Sequence, residues 1–175
     1  MSDYITTYSK IHFTPLKPKK EQIKIEDIAH SLSLMTRANG HFPEFYSVAQ
    51  HCIHCYEEAV ARGLNQRLCL AVLLHDASEA YLADITRPVK KNLPKYLVIE
   101  KILQDAIYER FLGSKLTEEE QKIVSEIDDA LLFYEFEHYM GERLMDNEPE
   151  LKSNPVFAFV PFEEVEHKYI QFSQI

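Results

Sequence analysis

The segment Leu73-Leu74-His75-Asp76-Ala77 sets an imidazole and a carboxylate side by side at the end of an apolar run that begins at Leu68. Burying such a pair is expensive unless both groups are hydrogen-bonded or hold a metal. Histidine and carboxylate together suit first-row divalent ions. Two more ligands are then needed from neighbouring helical segments. His51 qualifies, flanked by Val48 and Ile53, and so does one of Asp128 or Asp129, which sit inside the apolar frame Ile123, Ile127, Leu131, Leu132. Adjacent helical residues point about 100° apart, so these residues by themselves leave the choice between the two aspartates open.

Helical periodicity governs the chain from about residue 25 onward, which makes the expected fold class all-α. Ile25, Ile28, Ala29, Leu32 and Met35 paint one face of a first helix over Ile25–Ala38, stopped by Asn39-Gly40. Ser47 caps a second, running to about Ala61, and Asn65 caps a third, Gln66 to Tyr81, whose apolar stretch makes it the buried central helix. Pro88 and Pro94 mark residues 82 to 94 as a loop with at most one helical turn. A fourth helix follows from about Lys95 to Leu112 and ends at Gly113. Thr117 and Glu120 form the capping box of a long fifth helix reaching towards Leu144. Asp146–Pro155 reads as a loop, and a short helix from about 162 to 172 closes the chain. An irregular segment, about 1–24, precedes the first helix, and the whole is read as one domain.

With 28 acidic against 19 basic residues, the net charge of −9 argues against a surface that neutralises a nucleic-acid polymer. The cluster Lys17, Lys19 and Lys20 around Pro18 reads as a solvated turn. No apolar run reaches membrane-spanning length and no signal-peptide pattern opens the chain, so the expectation is a cytoplasmic protein without a membrane partner. The three cysteines, Cys52, Cys55 and Cys69, are expected as free thiols, and Cys52-Ile53-His54-Cys55 lacks the second pair that a structural zinc knuckle needs. Cys55, four residues after His51, could lie near a metal held there, but the plainer reading is a packed small hydrophobe. His12, His41, His54 and His138 have no comparable company and read as surface or supporting residues, although His41 could line a substrate pocket.

The order His51, His75-Asp76, then a late Asp followed by Ala-Leu resembles the HD superfamily of metal-dependent phosphohydrolases. More closely, His75-Asp76-Ala77-Ser78-Glu79-Ala80 followed by Asp84, Pro88 and Lys90 is similar to the bacterial HD-domain 5′-deoxynucleotidases and their phage-associated relatives. Ile5-Thr6-Thr7-Tyr8, Asp27-Ile28-Ala29-His30 and Tyr46-Ser47-Val48-Ala49-Gln50-His51 match the phage-associated branch, so the resemblance spans most of residues 5 to 135.

The resemblance implies a single HD-type helical bundle and one divalent metal ion, with Mn, Co, Mg, Zn, Ni and Fe all admissible. It places the ligands on His51, His75, Asp76 and, by the Asp-Ala-Leu match, Asp129. It also implies an acid/base role for Glu79, phosphate binding by Arg37 and a sugar contact by Asp84. The implied activity is hydrolysis of nucleoside 5′-monophosphates; another HD phosphoesterase chemistry, on a diphosphate or cyclic nucleotide, and a non-catalytic nucleotide-binding protein that retains the metal site are the alternatives. The family also allows a homodimer. On one continuous helix Glu79, four after His75, would share its face. Arg37, just before Asn39-Gly40, could lean over a pocket and clamp a phosphate with paired hydrogen bonds. Where relatives commonly carry an aromatic residue and two glycines after this arginine, the chain has Ala38, Asn39, Gly40 and His41.

Overall fold

The computed structural model describes residues 3 to 174. Three of the helices begin where the sequence supplies a side-chain cap. α1 is Ile25–Leu34. α2, Val48–Ala61, starts at Ser47, whose side chain accepts the Gln50 N–H. α3, Gln66–Leu73, starts at Asn65 in the same way through Leu68. α4 is a single turn, Arg87–Lys90, and α5 covers Pro94–Leu112. α6, Glu118–Met140, carries the full Thr117–Glu120 capping box, and α7 is Phe162–Ser173. Gly113 and Gly141 end α5 and α6 in the left-handed conformation that glycine adopts without strain.

These elements form an all-helical bundle around α2, which touches α1, α3, α6 and α7. Ile28, Leu32, Leu73, Leu74, Leu103, Ile107, Ile127 and Tyr169 are fully buried within it. At roughly 1.5–3 kcal/mol for each large apolar side chain, this shared core outweighs the helices' individual propensities. A second, aromatic cluster of Phe42, Tyr46 and Tyr139 sits at the end of the bundle where α2 begins and α6 ends. Among the described residues, no helix is long and apolar enough to cross a membrane.

Three segments differ from the periodicity reading. Residues 1–24 are not wholly irregular: β1 (Ile5–Thr6) pairs antiparallel with β2 (His12–Phe13) in a small hairpin. The first helix stops at Leu34, short of Ala38, because the chain turns extended at Met35. There it pairs with the residues before α2, with Arg37 N–H donating to Tyr46 C=O and Val48 N–H to Met35 C=O. Ala38 and Asn39 then take positive φ values of 51° and 50°.

The third helix stops at Leu73 rather than Tyr81. Its last carbonyls are taken by side chains: His75 Nδ1 donates to Val72 O (2.7 Å), the Tyr169 hydroxyl to Leu73 O (2.9 Å) and Gln104 Nε2 to Leu74 O (2.8 Å). The chain bends through His75 and Asp76 into a short 3₁₀ turn, Ala77–Ala80. Glu79 therefore does not lie on one continuous helix with His75. The bend turns His75 and Asp76 out of the helical ladder and towards α2 and α6.

Candidate metal centre

Four side chains from three separate segments converge where α2, the bend after α3 and the middle of α6 meet. His51 is fully buried in the first turn of α2, and its Nε2 lies 3.2 Å from Nε2 of His75. Asp128 Oδ1 stands 3.1 Å from the first of these nitrogens and 3.7 Å from the second. Asp76 Oδ2 stands 3.9 Å and 3.3 Å from the same two atoms. Ligand–metal bonds of about 2.0–2.2 Å in a tetrahedral site put neighbouring donor atoms about 3.3–3.6 Å apart, so these separations are those of a coordination polyhedron.

The hydrogen bonds fix which atoms face the centre. His75 commits Nδ1 to the Val72 carbonyl, and His51 commits Nδ1 to Glu135 Oε1 at 2.5 Å, which leaves both Nε2 lone pairs directed at one point. Two lone pairs this close repel unless a cation or proton stands between them. The electrostatics agree that positive charge belongs there. Burial alone would lower the His75 imidazole's pKa, yet Asp76 and Asp128 raise it well above its ordinary value. Burial likewise opposes ionisation of Asp128, but when protons occupy that space the Nε2–H groups of His51 and His75 donate to it and hold it well below the usual carboxylate range.

Asp128 takes the place that the resemblance gave to Asp129. Asp129 is turned about 100° around α6, is half-exposed, and pairs with Arg87 at 2.6 Å. Arg87 spans both residues, since its other terminal nitrogen bonds Asp128 Oδ2 at 2.8 Å. The ligand set that fits a metal ion is thus His51, His75, Asp76 and Asp128. Two buried thiols border it: the donor atoms of His51, Cys55 and His75 lie within 4.8 Å of one another, as do those of Cys52, His75 and Asp76. Burial pushes the Cys52 thiol's pKa up, which disfavours the thiolate that a metal would need. The two carboxylates, ionised already, are the better ligands. Cys55 nonetheless lies only 3.5 Å from His51 Nε2, closer to the centre than a plain packing residue.

Glu135 is a central residue that the sequence reading did not single out. Fully buried on α6, it accepts from His51, from the Tyr46 hydroxyl (2.9 Å) and from Arg37 (3.4 Å). Its spacing of seven from Asp128 carried the signal, because two helical turns return to the same face. Behind it His54 Nδ1 donates to the Tyr46 oxygen at 2.9 Å, and burial lowers the His54 pKa to about 4, so that ring stays neutral.

Two cavities meet at the cluster. One, of about 380 Å³, is bordered by Arg37, Asp84, Ile85, Leu132 and Phe136; the other, of about 490 Å³, by Gln104, Tyr108, Gln121 and Ser125. Both reach Asp76, Glu79, Lys90 and Asp128. Arg37, its side chain largely but not wholly buried, bonds Asp76 Oδ2 at 3.5 Å as well as Glu135, and so overlooks the centre from the first cavity. Glu79 borders both cavities, 3.6 Å from Lys90, with its second oxygen unpartnered. Burial, then the charges of Asp76 and Asp84, push its pKa up to about 9. Asp84 is raised too, chiefly by burial. His41 is exposed and borders neither cavity.

No known protein-family profile matches the chain. It is 41% identical over 108 residues to the uncharacterized protein YfdR of Escherichia coli K12, a match covering 62% of this chain and 58% of that protein. It is 42% identical over 102 residues, 55% of this chain and 52% of the other, to an uncharacterized protein of Rhodobacter capsulatus. The chain thus spans just over half the length of the curated relatives it matches.

Proposed function

We propose that the protein is a divalent-metal-dependent phosphomonoester hydrolase acting on nucleoside 5′-monophosphates. The observation that carries this reading is the pair of Nε2 atoms, 3.2 Å apart, flanked by the Asp76 and Asp128 carboxylates and overlooked by Arg37 and Glu79. His51, His75, Asp76 and Asp128 would hold the ion; Mn, Co, Mg, Zn, Ni and Fe are all compatible with such a set. When bound, the cation supplies an acidified water as nucleophile and neutralises part of the phosphate charge.

The chain's own groups divide the remaining work. Arg37 offers a planar fork of donors to two non-bridging phosphate oxygens, and its burial in a site bordered by carboxylates strengthens that contact. Glu79 holds its proton at neutral pH, so it suits donation to the departing alkoxide oxygen. Asp84 stands in the same cavity to accept from a sugar hydroxyl, and Ile85, Leu132 and Phe136 give the base an apolar wall.

The test is a hydrolysis screen with ribo- and deoxynucleoside monophosphates, each supplemented in turn with Mn²⁺, Co²⁺, Mg²⁺ and Zn²⁺. Release of inorganic phosphate that chelation abolishes is expected. Binding of nucleotide and metal without turnover would overturn the reading in favour of a non-catalytic binding protein, and activity confined to diphosphates or cyclic nucleotides would overturn the substrate assignment.

A further inference from the structure

Asp84, Arg87 and Lys90 all border the first cavity, yet the apolar core does not hold the segment that carries them. Its single helical turn, α4, has Pro88 at its start and buries none of its residues. Backbone bonds close the turn, from the Val89 and Lys90 N–H groups to Thr86 C=O at 2.9 Å each and from Lys91 N–H to Arg87 C=O at 3.2 Å. Polar side chains fasten it to the bundle. Tyr96 of α5 donates its hydroxyl to Ala83 C=O at 2.9 Å, Lys90 bonds Glu100 of α5 at 2.7 Å, and Arg87 reaches α6.

The contact with α6 divides one carboxylate between two tasks. Arg87 donates from Nη2 to Asp128 Oδ2 at 2.8 Å and from Nη1 to Asp129 Oδ1 at 2.6 Å. Asp128 Oδ1 is the oxygen that stands 3.1 Å from Nε2 of His51 and 3.7 Å from Nε2 of His75. A carboxylate with both oxygens free can chelate one ion through both. A short, charge-assisted bond to Oδ2 opposes this. The ion pair is no device for global stability, because the Arg87 side chain is 60% exposed and such pairs contribute little. Its effect falls on the orientation of Asp128 and on the turn it ties down.

We propose that Arg87 is a positioning residue for the metal centre, an inference that rests on the ligand set given under the proposed function. It reserves Asp128 Oδ2, so that Asp128 ligates through Oδ1 alone and a coordination position stays open for water or substrate. Through the same guanidinium it fastens the turn that follows Asp84 to a metal ligand, so the sugar contact and the ligand geometry are set together.

The experiment loads the full chain and its Arg87→Ala and Arg87→Lys variants with Co²⁺ alone, records the visible d–d spectrum, and follows hydrogen exchange at the Val89, Lys90 and Lys91 amides. In Arg87→Ala, Asp128 Oδ2 is free to join the ion, so the coordination number should rise and the absorption weaken. The three amides should exchange about threefold to tenfold faster, as for loss of charged hydrogen bonds at a partly solvated site. Arg87→Lys keeps the charge but cannot span both carboxylates, so the faster exchange should persist; this variant also serves where Arg87→Ala does not fold. Either a parental spectrum or parental exchange in folded Arg87→Ala would overturn the proposal. So would full recovery of both by Arg87→Lys, which would reduce the role to charge. A parent without saturable Co²⁺ binding would overturn the ligand set and this role with it. Spectrum and exchange need no turnover, so a parent that binds Co²⁺ and hydrolyses nothing would sink the proposed activity alone.

Discussion

Glu135 accepts the Nδ1 proton of His51 at 2.5 Å, and the same carboxylate oxygen accepts from the Tyr46 hydroxyl. A buried carboxylate on one ring nitrogen orients the other and makes it more basic, which is how outer residues tune a metal ligand. Glu135→Gln should weaken metal affinity by about 10–100-fold. A chelator-competition titration reads this directly, and unchanged affinity in a folded variant would reduce the contact to packing.

The adjacent aspartates of α6 make a matched pair. Asp128→Asn should abolish tight metal binding and turnover together, whereas Asp129→Asn should leave metal content intact and lose only the exposed half of the Arg87 bridge. Metal analysis of the two purified variants decides it; the reverse pattern would restore Asp129 as the ligand.

Glu79→Gln removes a proton donor without touching a metal ligand. Turnover should fall by about 10²–10⁴-fold while metal content stays normal. An unaltered rate at full metal occupancy would take this residue out of the chemistry.

Glu58 gives a pH-dependent test of the fold away from the site. Burial acts to raise its pKa, but bonds from Arg62 and from the backbone N–H groups of Lys152 and Ser153 more than reverse this and lower it. A carboxylate whose folded pKa is depressed stabilises fully above its unfolded value of about 4.3 and loses that contribution as pH falls through the folded value. Glu58→Gln should therefore cost about 1–3 kcal/mol at pH 7, with the gap to the parent narrowing below about pH 4. Urea unfolding at both pH values measures it, and a gap independent of pH would show that the charge contributes nothing.

Helix starts were legible in the sequence because caps are local chemistry: Ser47, Asn65 and the Thr117–Glu120 box act within one turn. The end of α3 was not, because it depends on Tyr169 and Gln104 reaching across from α7 and α5 to take its carbonyls. Within the site, His51, His75 and Asp76 could be read as polar groups in apolar surroundings. Asp128 and Asp129 share those surroundings, and only the rotational setting of α6 against α2 separates them. Glu135 was hidden differently: it falls among Phe133, Tyr134 and Phe136, where a single carboxylate resembles an ordinary solvent-facing residue until α6 is seen packed on its neighbours.

Because cavities of about 380 and 490 Å³ both reach Asp76, Glu79, Lys90 and Asp128, two cavities and not one serve the site. Under the proposed chemistry, nucleoside and inorganic phosphate would each have a separate exit. Neither product would have to depart first, and each would inhibit turnover on its own.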